Sequence, residues 1–475
     1  MNDNNTSAIV SKVWSFCNPL RDIGVGYGDY LEQLTYLLFL KMADEFSKPP
    51  YNRKLPIPKE YDWESLTAKR GDTLELYYTK LLSELSRQKG ILGQIFVQSQ
   101  NKIKEPAMLY KIIDMIDKEQ WATLGADIKG TIYEGLLEKN AEDTKSGAGQ
   151  YFTPRALIRA MVECVQPQPK KTIADPACGT GGFFLAAYDF IAKGNLDKDQ
   201  KQFLKFKTFF GNEIVANTRR MCLMNMFLHN IGDFDSENFI SPADALIATS
   251  PTTYDYVLAN PPFGRKSSMT ATNEEGEEET DELTYNRQDF WETSSNKQLN
   301  FVQHIRTMLK STGMAAVVVP DNVLFEGGAG ETVRKKLMET TELHTILRLP
   351  TGIFYKQGVK ANVFFFDNKV ASKEHWTKEI WFYDFRTNIH FTLKKNPLKL
   401  EDLRDFITCY NPNNRHKRKE LYNAETNPEG RWRKFSYDEI IARDKTSLDI
   451  SWIKDKSLTD LDNLPDPDVL ARDII

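Results

Sequence analysis

The sequence predicts an α/β protein in which a doubly wound sheet follows an all-helical N-terminal domain and precedes a short C-terminal tail. Between about residues 150 and 390, short β-branched or aromatic runs alternate with helical stretches, which is typical of parallel strands joined by crossover helices. The 475 residues are enough for about three domains with a substantial core. We therefore expect domains at residues 1–140, 145–400 and 401–475.

The N-terminal domain is expected to be helical because its apolar residues recur about one helical turn apart. The spacing from Leu31 to Met42 predicts a helix, and Asp29 just before it favours an N-cap. A second helical stretch, residues 128–137, leads into a polar linker at 139–149. That linker is the expected boundary of the domain.

Seven strands and four helices are predicted in the central domain. The strands are 172–174, 208–210, 254–259, 314–319, 344–349, 361–366 and 380–385. The helices are 154–165, 182–193, 216–229 and 299–309. Thr153 and Pro154 fit an N-cap followed by proline at the first helical position, and Gly194 fits a C-terminal stop.

Two polar regions are expected to lie outside the sheet. Residues 265–297 form an insertion in which seven of the nine residues from Glu274 to Glu282 are acidic, so a mobile surface loop is predicted. Beyond about residue 400 the chain becomes irregular and polar, with basic segments at Arg415–Lys419 and Arg431–Lys434. The last forty residues are expected to form an appendage rather than core.

Composition argues against several classes of protein. Apolar residues make up 41% of the chain and charged residues 27%, as in soluble globular proteins. Apolar runs fall far short of the ~20 residues that cross a bilayer, and no signal peptide is evident, so a cytoplasmic protein without a membrane partner is expected. The five cysteines and six histidines are scattered, so neither disulfides nor a metal are expected. With a net charge of -4, nucleic acid would be bound by local basic surface or by a partner chain.

The strongest local signal is the segment Asp175–Phe183, Asp-Pro-Ala-Cys-Gly-Thr-Gly-Gly-Phe, between a predicted strand and a predicted helix. Its glycines let the backbone approach a ligand, and free amides at a helix start favour a negatively charged group. A plain strand-to-helix turn would also use glycine. Asp175 favours a ligand, because an acid at the strand end suits an ammonium group better than a pyrophosphate. The segment therefore predicts an amino-acid-like ligand.

Two further carboxylates lie where the next strand ends of such a fold are expected. Glu213, in the segment Gly211–Glu213, is placed at the tip of the second strand, where such folds hold ribose hydroxyls by paired hydrogen bonds. Asp244, in Ser241–Asp244, is its counterpart at the next strand end and would accept from an adenine amine. Either residue alone would be read as a solvated loop acid. Their order at successive strand ends favours a nucleoside-binding role.

The predicted strand at 254–259 runs straight into Asn260, Pro261, Pro262 and Phe263. The two prolines fix the backbone, so the Asn260 side chain and the Pro261 carbonyl can be held toward one point. Both are hydrogen-bond acceptors that an exocyclic amine could donate to, and Phe263 offers a ring face for a planar base. The alternative is a tight proline turn after a buried strand.

These blocks resemble S-adenosylmethionine-dependent amino-methyltransferases. Asn-Pro-Pro-Phe is more similar to the form found in DNA adenine N6 enzymes than to the Ser-Pro-Pro form of cytosine N4 enzymes. Upstream, the run Gln150, Tyr151, Phe152, Thr153, Pro154 and Arg155 resembles the segment that covers the methionine end of the cofactor.

Further blocks resemble the modification subunit of type I restriction-modification systems, from about residue 10 to the C-terminal end. They are Asn18–Arg21, Gly28–Glu45, Ser295–Phe301, Leu324–Glu331, Leu349–Phe354, Asn411–Arg415 and Arg431–Arg433. Several of these blocks have no evident chemistry, so shared descent explains them better than chance. Cys178 and Gly181 are small residues at positions where the family also uses alanine.

The resemblance implies a Rossmann-like methyltransferase sheet with S-adenosylmethionine as cofactor. It implies cofactor contacts at Gln150 to Arg155, Asp175, Gly179, Thr180, Gly181, Gly182, Glu213 and Asp244. It also implies that Asn260, Pro261, Pro262 and Phe263 hold a flipped adenine of double-stranded DNA. The expected reaction is methyl transfer to the N6 amine of adenine, which protects host DNA from restriction.

The same resemblance implies partners. After the last predicted strand there is no segment the size of a target-recognition domain, and in this family a separate specificity subunit reads the DNA sequence. A second modification chain and a restriction subunit with nuclease and translocase activity would complete the assembly. The helical N-terminal domain and the C-terminal tail would then dock subunits and clamp DNA.

Two alternatives remain at this point. Asn-Pro-Pro also occurs in amine methyltransferases that act on ribosomal RNA or protein glutamine, although these are usually shorter and lack such an N-terminal domain. A non-catalytic subunit that only scaffolds a DNA-bound assembly is the other alternative, and the intact Asn260, Phe263 and Glu213 argue against it.

Overall fold

The computed structural model describes residues 15–16, 27–54, 57–121, 153–232, 240–264, 268–272, 278–282, 285, 287–354, 358–393 and 395–456. The chain divides into two compact units. Unit 1 comprises Met1–Phe152 and Pro167–Ala245, and unit 2 comprises Thr153–Gln166 and Leu246–Ile475.

The fold is mixed α/β, with a helical N-terminal region. The helices are α1 (Tyr27–Ser47), α2 (Trp63–Thr67), α3 (Gly71–Ser86), α4 (Gly90–Phe96), α5 (Pro106–Asp117), α6 (Arg155–Val165), α7 (Gly182–Ala192), α8 (Lys198–Phe206), α9 (Ala216–Leu228), α10 (Lys297–Met308), α11 (Asn322–Phe325), α12 (Ala329–Thr340), α13 (Arg404–Tyr410) and α14 (Tyr437–Ile441). The strands are β1 (Ile173–Asp175), β2 (Phe209–Asn212), β3 (Ile240–Ser241), β4 (Tyr254–Ala259), β5 (Ser268–Thr272), β6 (Glu278–Glu282), β7 (Leu309–Pro320), β8 (Thr341–Arg348), β9 (Ala361–Asn368), β10 (Glu379–Asp384) and β11 (Trp432–Ser436).

The N-terminal part of unit 1 is helical, as predicted. In α5, the buried residues Leu109, Ile112 and Ile116 lie on one face, and Pro106 occupies the first turn, where its missing N–H leaves no bond unmade. Helix α1 begins at Tyr27. Asp29 therefore lies inside the first turn, and its prediction as the N-cap is wrong. The predicted helix at 128–137 and the linker at 139–149 lie outside the described residues.

A parallel sheet β1-β2-β3 forms the rest of unit 1. Asp175 at the end of β1 is opposite Gly211, and Gly211 is opposite Ile240 of β3. Helices α7 and α8 connect β1 to β2, and α9 follows β2. The carboxyl ends of parallel strands lie at the same edge of a sheet, so Asp175, Glu213 and Asp244 are all at or just beyond strand ends on that edge. Helix α7 ends at Ala192, and the Gly194 N–H donates to the carbonyl of Ile191 at 3.1 Å, which confirms the predicted stop.

The sheet of unit 2 has the strand order β11-β10-β8-β9-β7-β4. Strands β4 and β7 are parallel, as are β8 and β10. Strand β9 is antiparallel to both β7 and β8, so the expectation of a wholly parallel arrangement is wrong there. Only about a dozen residues join β8 to β9. A crossover between parallel strands needs at least about that many, so this short connection favours antiparallel pairing. Strands β8 and β9 are buried along nearly their whole length.

All seven predicted strands form, and β4 has the predicted bounds. The acidic insertion differs from its prediction. Ser268–Thr272 and Glu278–Glu282 pair as an antiparallel hairpin, the acidic hairpin, rather than remaining irregular. β-branched threonines favour an extended backbone, and strand pairing by backbone hydrogen bonds does not require a buried face.

The described part of the C-terminal region also differs from its prediction as irregular chain beyond about residue 400 with an appendage over the last forty residues. Strand β11 pairs with β10, and the Trp432 ring stacks on Trp381 at a centroid distance of 5.1 Å. Buried Arg334 donates to the carbonyls of Lys445 and Thr446 at 2.5 and 3.1 Å. These contacts place residues 432–446 in the body of unit 2. In the part of the chain that the structure describes, no helix has the length and apolar character needed to cross a membrane.

Candidate active site

The turn after β1 carries the first group of predicted residues. Asp175 is 2% exposed, and its Oδ1 accepts from the N–H of Ala177 at 2.9 Å. Gly179 has φ +57° and Gly181 has φ +86°, which L side chains rarely adopt. A Cβ at Gly179 would meet no described atom within 4 Å, so no described residue packs against the turn at that point. Helix α7 begins directly afterwards at Gly182.

Gly181 and Cys178 pack the opposite side of the same turn. A Cβ at Gly181 would lie 3.0 Å from Sγ of Cys222 in α9. The Sγ atoms of Cys178 and Cys222 are 3.9 Å apart and buried. Burial raises the pKa of the Cys178 thiol well above its usual value, so the thiolate is scarce. Cys178 and Cys222 therefore act as packing residues beneath this turn.

Glu213 links the end of β2 to the glycine turn. Its Oε2 accepts from the N–H of Gly179 at 3.1 Å, and its Oε1 accepts from the N–H of Val215 at 2.7 Å. Its own N–H donates to the carbonyl of Ser241 in β3 at 2.9 Å. Glu213 is therefore held between the turn after β1 and the end of β3.

The two carboxylates differ from ordinary surface acids. Burial and, to a smaller extent, the nearby charge of Glu213 raise the pKa of Asp175 to about 8, although the hydrogen bond from Ala177 opposes the shift. Burial also raises the pKa of Glu213, although amide donors from Val215 and Gly179 oppose the shift. A cationic group bound beside Asp175 would stabilise its ionised form. An ammonium ligand fits this environment.

Asp244 lies three residues beyond the end of β3, and its side chain is half-buried. The side-chain amide of Asn212 donates to the carbonyl of the adjacent Ala243 at 3.2 Å, which ties this loop to the end of β2. Unit 1 thus brings Asp175, the glycine turn, Glu213 and Asp244 to one edge of its sheet.

Sequence reasoning missed two apolar residues at this edge. Ile214 and Val215, directly after Glu213, are 61% and 41% exposed. Apolar side chains left exposed beside Glu213 offer a surface on which a planar ring could pack. The sequence signal that could have identified them is the pair of β-branched residues directly after Glu213.

The second group of predicted residues lies in unit 2. Gln150, Tyr151 and Phe152 lie outside the described residues. Pro154 occupies the N-cap position of α6, which Arg155 begins. The prediction of Thr153 as the helix cap is therefore wrong. Its Oγ1 instead accepts from Nδ2 of Asn260 at 2.8 Å.

Asn260 directly follows β4, as predicted. Its Oδ1 is buried and accepts no hydrogen bond from any described residue. The N–H of Gly264 donates to the carbonyl of Pro262 at 3.1 Å, which closes the turn after the two prolines. The ring of Phe263 meets that of Phe354 edge to face, with centroids 6.0 Å apart. Two prolines thus constrain the backbone of the loop, and Asn260 presents an acceptor to which no described residue donates, the chemistry needed to receive an amine.

Comparison with known proteins identifies the class. A family model described as N-6 DNA methylase matches residues 124–452, and a second, described as the HsdM N-terminal domain, matches residues 9–116. The chain belongs to the N-6 DNA methylase family. The α/β fold, the glycine turn after β1 and the Asn-Pro-Pro-Phe loop after β4 agree with that assignment.

Similar proteins narrow the class further. The chain is 39% identical to the type I restriction enzyme StySJI methylase subunit of Salmonella typhimurium strain LT2, over 99% of this chain and 92% of that protein. The crystal structure of the type I restriction enzyme EcoKI M protein is 35% identical, covers 98% of this chain and 92% of its own, and has a TM-score of 0.55. A modification subunit of a type I restriction enzyme from Vibrio vulnificus YJ016 shares the fold, with a TM-score of 0.73, 23% identity and coverage of 95% and 96%. Within its family, the chain is a type I methylase subunit and hence a DNA methyltransferase.

Proposed function

We propose that this chain transfers the methyl group of S-adenosylmethionine to the N6 amine of an adenine in double-stranded DNA, at a site chosen by a separate specificity subunit. The observation that carries the proposal is the Asn260 amide, whose Oδ1 is buried with no described donor. A buried acceptor left without a partner costs free energy, so its retention favours a ligand that donates to it. The adenine amine is such a donor.

The cofactor would be held by the residues of unit 1. Asp175 suits its ammonium group, the backbone around Gly179 and Thr180 suits its carboxylate, and Glu213 and Asp244 suit its ribose and adenine. The lack of any described residue packed against Gly179 and the raised pKa of Asp175 support this fit. When bound, S-adenosylmethionine supplies a methyl group on a sulfonium, which needs no metal or redox partner. Of the predicted segment Gln150 to Arg155, five residues are proposed as further cofactor contacts: Gln150, Tyr151, Phe152, Pro154 and Arg155. Thr153 was predicted with them, but its hydroxyl accepts from Asn260 and it is considered separately below.

The adenine would be held by the loop after β4. Oδ1 of Asn260 and the carbonyl of Pro261 would each accept one amine hydrogen, which leaves the nitrogen lone pair free for the methyl group. Phe263 would stack on the base once it has left the duplex. Asparagine has no basic function at neutral pH, so these residues orient the amine, and the proton leaves to water after transfer. Positioning is the main contribution of the protein.

The proposed partners follow from the subunit family. A specificity subunit would read the DNA, a second copy of this chain would act on the other strand, and a restriction subunit would complete the enzyme. Residues 1–140 and 401–475 are proposed to dock subunits and clamp DNA around the catalytic domain at 145–400. Because its substrate is cellular DNA, we place the protein in the cytoplasm. The alternatives with RNA or protein acceptors are not favoured, since the DNA methylase relatives match nearly the whole chain.

The test is a methyl-transfer assay with the purified chain, alone and co-purified with the specificity subunit encoded beside it. Labelled S-adenosylmethionine and plasmid DNA are supplied, with ribosomal RNA and a protein mixture as competing acceptors. We expect N6-methyladenine at one defined sequence, and only with the partner present. Efficient methylation at a defined sequence by the chain alone would contradict the role of the specificity subunit. Label in RNA or protein instead would contradict the acceptor.

A further inference from the structure

The orientation of one side-chain amide decides whether Asn260 can receive an amine. An asparagine amide has an acceptor oxygen at one end and a donor NH₂ at the other, and the two ends have nearly the same shape. Nδ2 donates to Oγ1 of Thr153 at 2.8 Å. At the other end, Oδ1 is buried and lacks a donor among the residues that the structure describes. Among the described residues, the amide is thus hydrogen-bonded at its donor end and unpaired at its acceptor end.

We infer that Thr153 is a positioning residue for methyl transfer, because its hydroxyl accepts from Nδ2 and thereby keeps Oδ1 of Asn260 available to the acceptor amine. This inference rests on the proposed function and deepens it. It also separates Thr153 from the neighbouring residues proposed to contact the cofactor.

The hydroxyl has to act as an acceptor in the reactive state. A hydroxyl can donate as well as accept, so by itself Thr153 would also tolerate the reversed amide. An amine arriving as a donor selects the orientation in which Oδ1 receives it. Nδ2 then needs an acceptor, and an unmade hydrogen bond from a buried NH₂ is costly. Oγ1 of Thr153 supplies that acceptor at 2.8 Å.

The position of Thr153 leaves its hydroxyl free for this role. Pro154, not Thr153, occupies the N-cap of α6, and no described side chain caps that helix. A residue before proline is confined to extended backbone conformations, which limits the movement of Thr153.

Helix α6 in turn anchors Thr153 within unit 2. Its residues Leu157 and Met161 are fully buried. Glu163 is paired with Arg404 of α13 at 2.5 Å. The acceptor that orients Asn260 is therefore attached to a packed helix rather than to a free loop.

The experiment uses the complex of this chain with its specificity subunit and compares Thr153→Val, which keeps the shape and removes the hydroxyl, with Thr153→Ser, which keeps the hydroxyl. Single-turnover methylation of a DNA duplex is measured at saturating S-adenosylmethionine, and cofactor affinity is measured separately by calorimetry. We expect Thr153→Val to slow transfer by roughly tenfold to a hundredfold, with the cofactor Kd changed less than about threefold. Thr153→Ser is expected to stay within about threefold of the unmodified rate.

Other outcomes overturn the inference in distinguishable ways. A full rate in Thr153→Val shows that the hydroxyl does not orient the amide. A weaker cofactor Kd with an unchanged rate at saturation assigns Thr153 to the cofactor instead. Equal losses in the Val and Ser variants, or a matching fall in melting temperature, indicate packing. If the unmodified complex fails to methylate adenine at all, the proposed function itself is wrong and the inference fails with it.

Discussion

The carboxylate of Glu213 accepts a hydrogen bond from the backbone N–H of Gly179 at 3.1 Å. The acid that follows the second strand therefore also supports the turn that follows the first. A ribose-binding role and a turn-supporting role would share one carboxylate, whose second oxygen is held by Val215. Loss of this side chain should affect both the nucleoside end and the amino-acid end of the cofactor site.

Glu213→Ala is expected to weaken S-adenosylmethionine binding strongly. The lost charge-assisted hydrogen bonds correspond to roughly 2–4 kcal/mol, or about 30-fold to 1000-fold in Kd. Glu213→Gln should lose less, because its carbonyl oxygen can still accept one of the two backbone N–H groups. Calorimetric titration of the two variants measures this. An unchanged Kd in Glu213→Ala would refute the assignment of the residue.

Asn260→Ala is expected to have the opposite effect. Methyl transfer should fall below detection because the amine loses its side-chain acceptor, while the cofactor Kd should stay within about twofold. Methyl transfer is measured as labelled methyl groups on DNA captured on a filter, and cofactor affinity is measured by the same calorimetric titration. A large loss of cofactor affinity would mean that Asn260 does not face the acceptor base.

The pH dependence of cofactor binding should reveal Asp175. Its pKa is about 8 in the free protein, so it is mostly protonated at pH 7. A bound ammonium group would lower that pKa, so binding should release a proton and strengthen as pH rises from about 6 to about 7.5, below the pH at which the ammonium group of the cofactor itself titrates. Calorimetry in two buffers of different ionisation enthalpy counts the protons. Asp175→Asn is the control, since it keeps the shape and leaves only the titration of the cofactor.

The same residue should destabilise the free protein as pH rises. Because the folded-state pKa of Asp175 lies above its ordinary value, the folded state binds more protons between about pH 4 and 8, and stability is lost across that window. Asp175→Asn should therefore raise the melting temperature more at pH 8 than at pH 5. An equal effect at both values would show that the carboxyl is not shifted.

Removal of the acidic hairpin should leave the fold intact. β5 and β6 form a two-stranded sheet of their own, outside the six-stranded sheet of unit 2. Replacing residues 268–282 by a short glycine-serine link should change the melting temperature by only a few degrees. A variant with the acids of the hairpin changed to glutamine or asparagine separates the effect of charge from that of length. A collapse of stability would show that the hairpin supports the rest of the unit.

Local patterns were sufficient for most of the fold. Strand β4 is recognised because apolar residues end abruptly at Asn260 and two prolines, and every signal needed lies within ten residues. Strand β11 was missed because two adjacent basic residues, Arg433 and Lys434, interrupt the apolar alternation between Trp432 and Phe435, and only the pairing with β10 makes that segment a strand. Edge strands often carry such charges, which hides them in a single sequence.

The site shows the same division between local and distant signals. Asp175, Glu213 and Asn260 were identified because each follows a predicted strand. Thr153 was assigned to the wrong partner, since its hydroxyl had a local use as a helix cap and its actual partner lies 107 residues away. No short-range pattern distinguishes these two uses.

Unit 2 is built from separated parts of the chain, and this affects how the protein is made. Helix α6 leaves the ribosome long before Arg404, the partner of Glu163, which follows 241 residues later. At typical rates of translation that delay is roughly 10–50 s. During this interval the apolar face of α6 lacks its C-terminal cover, so a nascent chain stalled before residue 404 should be a substrate for chaperones and proteases. Ribosome stalling shortly before codon 404 would therefore lower the yield of folded enzyme, even though most of the chain has been synthesised by then.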